Sequence, residues 1–312
     1  ETVIVKMKFG SHLYGTDTPD SDLDYKGVFL PTQEEILLNR IPKSYSNSTK
    51  KGNEERNTSD DVDTEIYSLH YFLKLACEGQ TVALDMLHAP DNMVLERHPI
   101  WNDLLESRHR FYTKNLRAFI GYARRQAAKY GIKGSRLNAA EEIVNLLSQY
   151  DPEQKLATIW DKLPLGDYQH MLGPDNNGVE QYQVCGKTIQ ATARIGYFKN
   201  ILEKFHKEYG KRARQATENK GIDWKAVSHA LRAAFQTKQL LSEGTITFPL
   251  KQAPFLKMVK AGELDYLRDV VPVLELLMEE VEELSEKSSF PDKVNRKWWD
   301  QWLLNMLRTY VL

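Results

Sequence analysis

At 312 residues, with 41% hydrophobic and 27% charged, the chain holds enough apolar material for a sizeable core in one or two domains. Lys and Arg total 42 against 43 Asp and Glu, a net charge of −1, so any attraction to nucleic acid must come from a local patch. The two cysteines, Cys77 and Cys185, lie far apart with no histidine cluster nearby, which argues against a disulfide framework or a zinc site. No apolar run approaches the ~20 residues of a membrane span, and the first ten residues lack a signal-peptide layout. A cytoplasmic protein is expected.

Val3, Val5, Met7 and Phe9 alternate with Thr2, Ile4, Lys6 and Lys8, which predicts a strand with one apolar face. Turn residues fill 15–21, and 22–30 resumes an extended pattern that Pro31 stops. Residues 43–62 are polar and read as a surface loop. Residues 63–68 predict a third strand, and 69–78 a helix closed by Gly79. A second helix carries Val82, Leu84, Met86 and Leu87.

From about residue 99 the pattern is mainly helical. Helices are expected over 113–130, from a start at Asp151-Pro-Glu-Gln154, over about 194–219, and over 223–242 between Asp223 and Gly244. Residues 179–191 predict a hairpin turning near Cys185 and Gly186. A strand-like stretch spans 246–250, and a helix over about 263–287 carries Pro272, where a kink or break is expected. Its acidic run, 279–287, reads as a solvated face. A last helix over about 292–311 carries Trp298, Trp299 and Trp302, read as packing residues. The expected class is α+β, with a short mixed sheet in 1–98 followed by a mainly helical domain over 99–312.

Asp22 and Asp24 alternate on the second strand and so share a face. Two carboxylates roughly 6–7 Å apart repel unless a cation lies between them, and hard oxygen ligands suit Mg²⁺. Two such ions can clamp the attacking and leaving oxygens of a phosphoryl displacement, given a further carboxylate. The third strand offers Asp63 and Glu65 on one face, and Asp61 more weakly from the loop. Gly10 and Ser11, ten residues ahead of the pair, suit close approach to terminal phosphates.

The run FGSHLYGTDTPDSDLDYKGVFLP resembles the signature of DNA polymerase β superfamily nucleotidyltransferases: Gly-Ser, about ten residues, then Asp-x-Asp. It looks closest to a phage and bacterial branch named for an RNA repair pathway, with every fixed position present from Gly10 to Asp24. The stretch DTEIYSLHYFLKLA (63–76) is similar to the same branch's strand-to-helix element, which implies Asp63 as the third catalytic carboxylate, with Glu65 competing. The resemblance covers about residues 5–90 strongly and 113–263 loosely. It implies a polymerase-β-like catalytic domain using Mg²⁺, with Mn²⁺ as a substitute. The reaction it implies moves a nucleoside monophosphate from an NTP to a hydroxyl acceptor and releases pyrophosphate. Its name points to an RNA 3′ end, such as a tRNA, as acceptor. A protein hydroxyl and a non-catalytic nucleotide or RNA sensor are the alternatives.

Two basic groups are candidates for the triphosphate or an RNA. Arg124, Arg125, Lys129, Lys133 and Arg136 fall in a stretch without acids, with Lys133 and Arg136 in a loop able to wrap phosphates. On the 223–242 helix, Lys225, His229, Arg232 and Gln236 form a polar stripe opposite Trp224, Val227, Leu231 and Phe235. The RNA-repair branch has a similar Ser-His-Ala-x-Arg helix, matching Ser228 to Arg232, which implies His229 and Arg232 as nucleotide contacts. Arg212 and Arg214 are weaker candidates. The site is expected in the cleft between the two domains, and no oligomeric state is read from the sequence.

Overall fold

The structure is a computed structural model that describes residues 2–49, 61–114, 134–166, 168–217 and 221–312, without the side chains of 134–138 and 209–217. The expected helix over 113–130 therefore lies almost wholly outside the described residues. The chain divides into two compact units: Glu1–Ala127 with Asp223–Leu312, and Ala128–Ile222.

The first unit is built on a five-stranded mixed sheet. Its strands are β1 (Thr2–Lys8), β2 (Leu23–Leu30), β3 (Ser44–Ser48), β4 (Val62–Ser68) and β5 (Val94–Arg97), in the order β3-β4-β2-β1-β5. Among the described strands only β2 and β4 run parallel, with Asp24 opposite Asp63 and Lys26 opposite Glu65. β1 alternates as expected, except that Ile4 and Val5 are both fully buried. A bulge between Val3 and Val5 turns the chain at that point.

Local details depart from the expected pattern. Between β1 and β2 the chain makes a short helix, α1 (Gly10–Tyr14), before the turn; Gly15 in the left-handed region ends it. The polar segment 43–62 is not all loop. β3 is an edge strand bonded to β4, and it tolerates polar residues because four of its five positions are exposed. The 246–250 stretch buries Ile246, Phe248 and Leu250 alternately but joins no sheet. Its amides go elsewhere: Thr247 N–H to Gln239 Oε1 (3.0 Å) and Leu250 N–H to the Tyr14 carbonyl (3.2 Å).

Helices α2 (Gln33–Leu37), α3 (Leu69–Cys77), α4 (Thr81–Leu87) and α5 (Pro99–Ser107) complete the N-terminal part. In α4 every residue from Ala83 to Leu87 is buried, Asp85 included. The second unit holds α6 (Gly134–Leu147), α7 (Ile195–Thr217) and a three-stranded antiparallel sheet of β6 (Gln169–Pro174), β7 (Glu180–Val184) and β8 (Lys187–Gln190). The predicted hairpin is β7–β8, its turn made by Cys185 and Gly186 at φ of 52° and 80°, as a two-residue primed turn requires. The Asp151-Pro-Glu-Gln154 segment starts no helix. Its carbonyls at Gln154 and Pro152 accept from Ile195 and Gly196 N–H at 2.9 Å, so it closes the first turn of α7 instead.

Returning to the first unit, α8 (Trp224–Glu243) runs between the expected caps, with Asp223 accepting from Ala226 N–H and Gly244 left-handed. Packed on it are α9 (Ala253–Ala261) and α10 (Val271–Lys287), in which Pro272 lies in the first turn, after a short π-helical segment. The break expected at Pro272 is thus the start of α10. In α11 (Arg296–Tyr310), Trp299 is 2% exposed and stacks on Phe111 at 3.8 Å between centroids, with planes 5° apart. Among the described residues no helix is long and apolar enough to cross a membrane. Trp299→Ala removes the largest part of this contact and is expected to cost about 3–5 kcal/mol, read as a lower urea midpoint at unchanged slope.

Candidate active site

Parallel pairing carries the carboxylates to one place. Asp22 immediately precedes β2, where the Leu23 N–H is tied to the Asp61 carbonyl at 3.0 Å; Asp24 lies inside β2 and Asp63 opposite it on β4. Each of the three offers an oxygen within 4.8 Å of the others, and all are half-buried. Burial raises the Asp24 pKa first, and the negative charges of Asp22 and Asp63 add to it against the pull of Lys26 and His12. Three clustered carboxylates with an all-oxygen donor set fit a hard divalent cation such as Mg²⁺, whose charge would relieve this repulsion.

Gly10 makes the cluster sterically feasible. It sits at φ +60°, and a Cβ there would strike Asp24 Oδ2 and lie 2.9 Å from Asp24 Cγ. The Phe9 N–H to Asp24 carbonyl bond (2.8 Å) holds the two segments at this spacing. The Ser11 hydroxyl, on the adjoining turn, is buried and makes no hydrogen bond among the described residues. Glu65 is engaged differently. Lys26 Nζ and the Tyr67 hydroxyl each donate to its Oε2 at 2.6 Å, and the Ser44 hydroxyl to its Oε1 at 3.3 Å. Burial works to raise its pKa, but these bonds outweigh it and the net shift is downward. Of the carboxylates considered in the sequence, Asp63 joins the cluster, and Glu65 and Asp61 do not.

The carboxylates line a cavity of about 380 Å³ whose opposite wall is cationic. Lys225, His229 and Arg232 face it from α8, and Lys260 from α9; Phe9, Gly10, Ser11, Tyr14 and Lys26 are also in its lining. Burial, with Arg232, Lys225 and Lys260 around it, pushes His229 down to about 4, so its imidazole is neutral near pH 7. The Ser228 hydroxyl is committed to the Leu256 carbonyl at 3.0 Å, which ties α8 to α9.

The polar stripe expected on α8 is divided by the structure. Gln236 is fully buried and Arg232 points inward, because both meet a carboxylate that the sequence reading passed over. Asp85, 0% exposed, accepts from Gln236 Nε2 (2.7 Å), Arg232 (3.1 Å) and the Tyr14 hydroxyl (2.9 Å). Burial pushes Asp85 up to about 6 despite Arg232 and these bonds. A lone acid in the apolar run TVALDML was the available signal. Lys26 was missed too, although Asp22, Asp24 and Lys26 share one two-residue spacing. Arg124, Arg125, Lys129 and Lys133 lie outside the described residues, as do the side chains of Arg136, Arg212 and Arg214.

Three comparisons bear on this site. The model of the RNA repair pathway DNA polymerase beta family matches residues 2–148, which include the carboxylates, Gly10 and Ser11. Over 324 residues the chain is 39% identical to an uncharacterized 38.9 kDa protein in the nrdC-mobD intergenic region of Enterobacteria phage T4, covering 96% of this chain and 95% of that protein. A nucleotidyltransferase-like protein from Exiguobacterium sibiricum 255-15 is similar at 11% identity, covering 92% of this chain and 69% of that one, at a TM-score of 0.25 too low to argue from.

Two outcomes follow from the geometry. Gly10→Ala is expected to displace Asp24 and weaken Mn²⁺ binding roughly 10–100-fold in a calorimetric titration. Asp85, with its pKa raised from 3.8 to about 6, favours the fold when protonated, and that contribution fades as pH rises through about 6. Asp85→Asn is expected to flatten the fall in stability between these pH values by up to about 3 kcal/mol, read from urea melts at pH 4 to 7.

Proposed function

Because this chain belongs to the RNA repair pathway DNA polymerase beta family, we propose that it is a metal-dependent nucleotidyltransferase. It moves a nucleoside monophosphate from an NTP to a hydroxyl acceptor, first of all an RNA 3′ end such as that of a tRNA. The observation that carries this reading is the cluster of Asp22, Asp24 and Asp63 facing a cationic wall across one cavity. In this reading residues 1–98 form the catalytic domain, and helical residues of 99–312 supply the opposite wall of the cleft.

Asp22 and Asp24 would hold both metal ions and Asp63 the catalytic one. Bound there, Mg²⁺ supplies Lewis-acid charge to the phosphate oxygens and lowers the pKa of the acceptor hydroxyl. The chain's own groups do the rest. Asp63 accepts the proton of the acceptor hydroxyl, whose oxygen forms the new bond to the α-phosphorus. The bond from the α-phosphorus to the bridging oxygen breaks, and its electron pair leaves with pyrophosphate. The Ser11 hydroxyl, in the cavity lining and without a hydrogen bond among the described residues, donates to a terminal phosphate oxygen, with the Gly10 backbone close by. Lys225, Arg232 and Lys260 neutralise the phosphates, and the neutral His229 donates a hydrogen bond without adding charge. Lys133 and Arg136 are proposed as further phosphate contacts from the sequence alone.

The test is incubation with each α-labelled NTP and Mg²⁺, in the presence of tRNA, total RNA or total cell protein. Label is expected in RNA, with pyrophosphate released in equal amount. Asp22→Ala is expected to reduce transfer at least roughly 10³-fold, about 4 kcal/mol of barrier. Label in protein would redirect the acceptor assignment. Binding of NTP with no transfer to any pool, unchanged by Asp22→Ala, would sink the enzymatic reading.

A further inference from the structure

Asp85 sits on the inner side of the cavity wall and does not line the cavity, yet both residues that its Oδ2 binds do. Tyr14 comes from α1, the short helix that carries Ser11; Arg232 comes from α8, the helix that carries Lys225 and His229. The Arg232 guanidinium lies over the Tyr14 ring, 3.9 Å from its centroid. Gln236 closes the arrangement, accepting from Arg232 at 3.0 Å while donating to Asp85 Oδ1. One buried carboxylate therefore ties together the loop side and the cationic side of the same cavity.

From this arrangement we infer that Asp85 is a positioning residue for the phosphates of the nucleotide: it fixes Arg232 over the Tyr14 ring at the cavity wall. This rests on the nucleotidyltransferase reading and extends it to the part of the substrate that Arg232 meets. The physical reason lies in the costs. A carboxylate inside an otherwise apolar helix is expensive to desolvate, and an apolar residue of similar size would serve stability as well or better. Arginine also has a long side chain whose freedom must be lost when it grips an anion. Anchored at one edge by Asp85 and stacked on one face by Tyr14, Arg232 has lost that freedom before the nucleotide arrives. Its charge is buried enough, at 14% side-chain exposure, that solvent screens it little from a bound phosphate.

The test measures binding without turnover, using a non-hydrolysable NTP with Mg²⁺, and separately inorganic tripolyphosphate. Asp85→Asn, nearly isosteric, is expected to weaken both roughly 10–100-fold, an effect of the size seen when a supporting partner of a binding group is removed. In an Arg232→Gln background the same change is expected to have little further effect, because Asp85 acts through Arg232. A purely structural Asp85 would instead weaken binding equally in both backgrounds, and that result overturns the inference. Unchanged affinity in Asp85→Asn overturns it too. Should Asp85→Asn not fold, Tyr14→Phe removes the hydroxyl while keeping the ring under Arg232. A several-fold loss of tripolyphosphate affinity then supports the inference, and none refutes it. A wild-type chain that binds neither probe refutes the nucleotide reading itself, a result distinct from wild-type binding that the Asp85 variant leaves intact.

Discussion

The parallel pairing of β2 with β4 is the constraint on which the site depends. It sets Asp24 across from Asp63 and Lys26 across from Glu65, so that one strand pair carries an acidic cluster and, one step along, a neutralised pair. In a strand, side chains alternate, so a slip of one residue would turn Asp63 to the other face. The sheet resists that slip because Val28 and Phe29, on opposite faces of β2, are both buried, as is Tyr67 on β4, so a slip would have to repack both sides of the sheet. Apolar packing at one end of the two strands thus determines where mutually repelling charges are held at the other.

The cost of holding those charges together is met by neighbours. Gly10 leaves the space that a side chain would take from Asp24, and Lys26 both draws on Asp24 and holds Glu65 out of the cluster. Across the cavity the sign reverses, with Lys225, Arg232 and Lys260 around a histidine that their charge and its burial keep neutral. The site is a pair of opposed charged surfaces, each uncomfortable alone. A ligand with both metal-binding oxygens and spare negative charge satisfies both, and a polyphosphate has these properties.

Much of this could be read from the chain before its structure. The strand pattern around Asp22 and Asp24, the spacing from Gly10, and the caps of α8 are local signals, and local signals survive folding. The choice between Asp63 and Glu65 was not local. It depends on Lys26 lying opposite Glu65, a fact of register between strands nearly 40 residues apart. Asp85 was overlooked for the same reason: inside an apolar helix it has no meaning until Tyr14, Arg232 and Gln236 reach it. β3 escaped notice because an exposed edge strand needs no apolar face, and the 246–250 stretch misled because alternating burial does not require a neighbouring strand. The Asp151 carboxylate accepts from the Glu153 N–H at 2.9 Å without opening a helix there, and it is backbone carbonyls of this segment that meet the first turn of α7.

The bond between Arg232 and Asp85 spans 147 residues of chain, and a complete second unit, Ala128–Ile222, is encoded between them. During synthesis the carboxylate side of the site leaves the ribosome long before the helix that faces it has been made. Closing so distant a contact is slow and entropically costly, so the sheet can form well ahead of its completed cavity. Until α8 has been made, Asp85 lacks the arginine that meets it in the folded protein. The two halves of the site are therefore encoded separately: a chain cut short before residue 224 would contain Asp22, Asp24 and Asp63 but none of the opposing cations on α8 and α9.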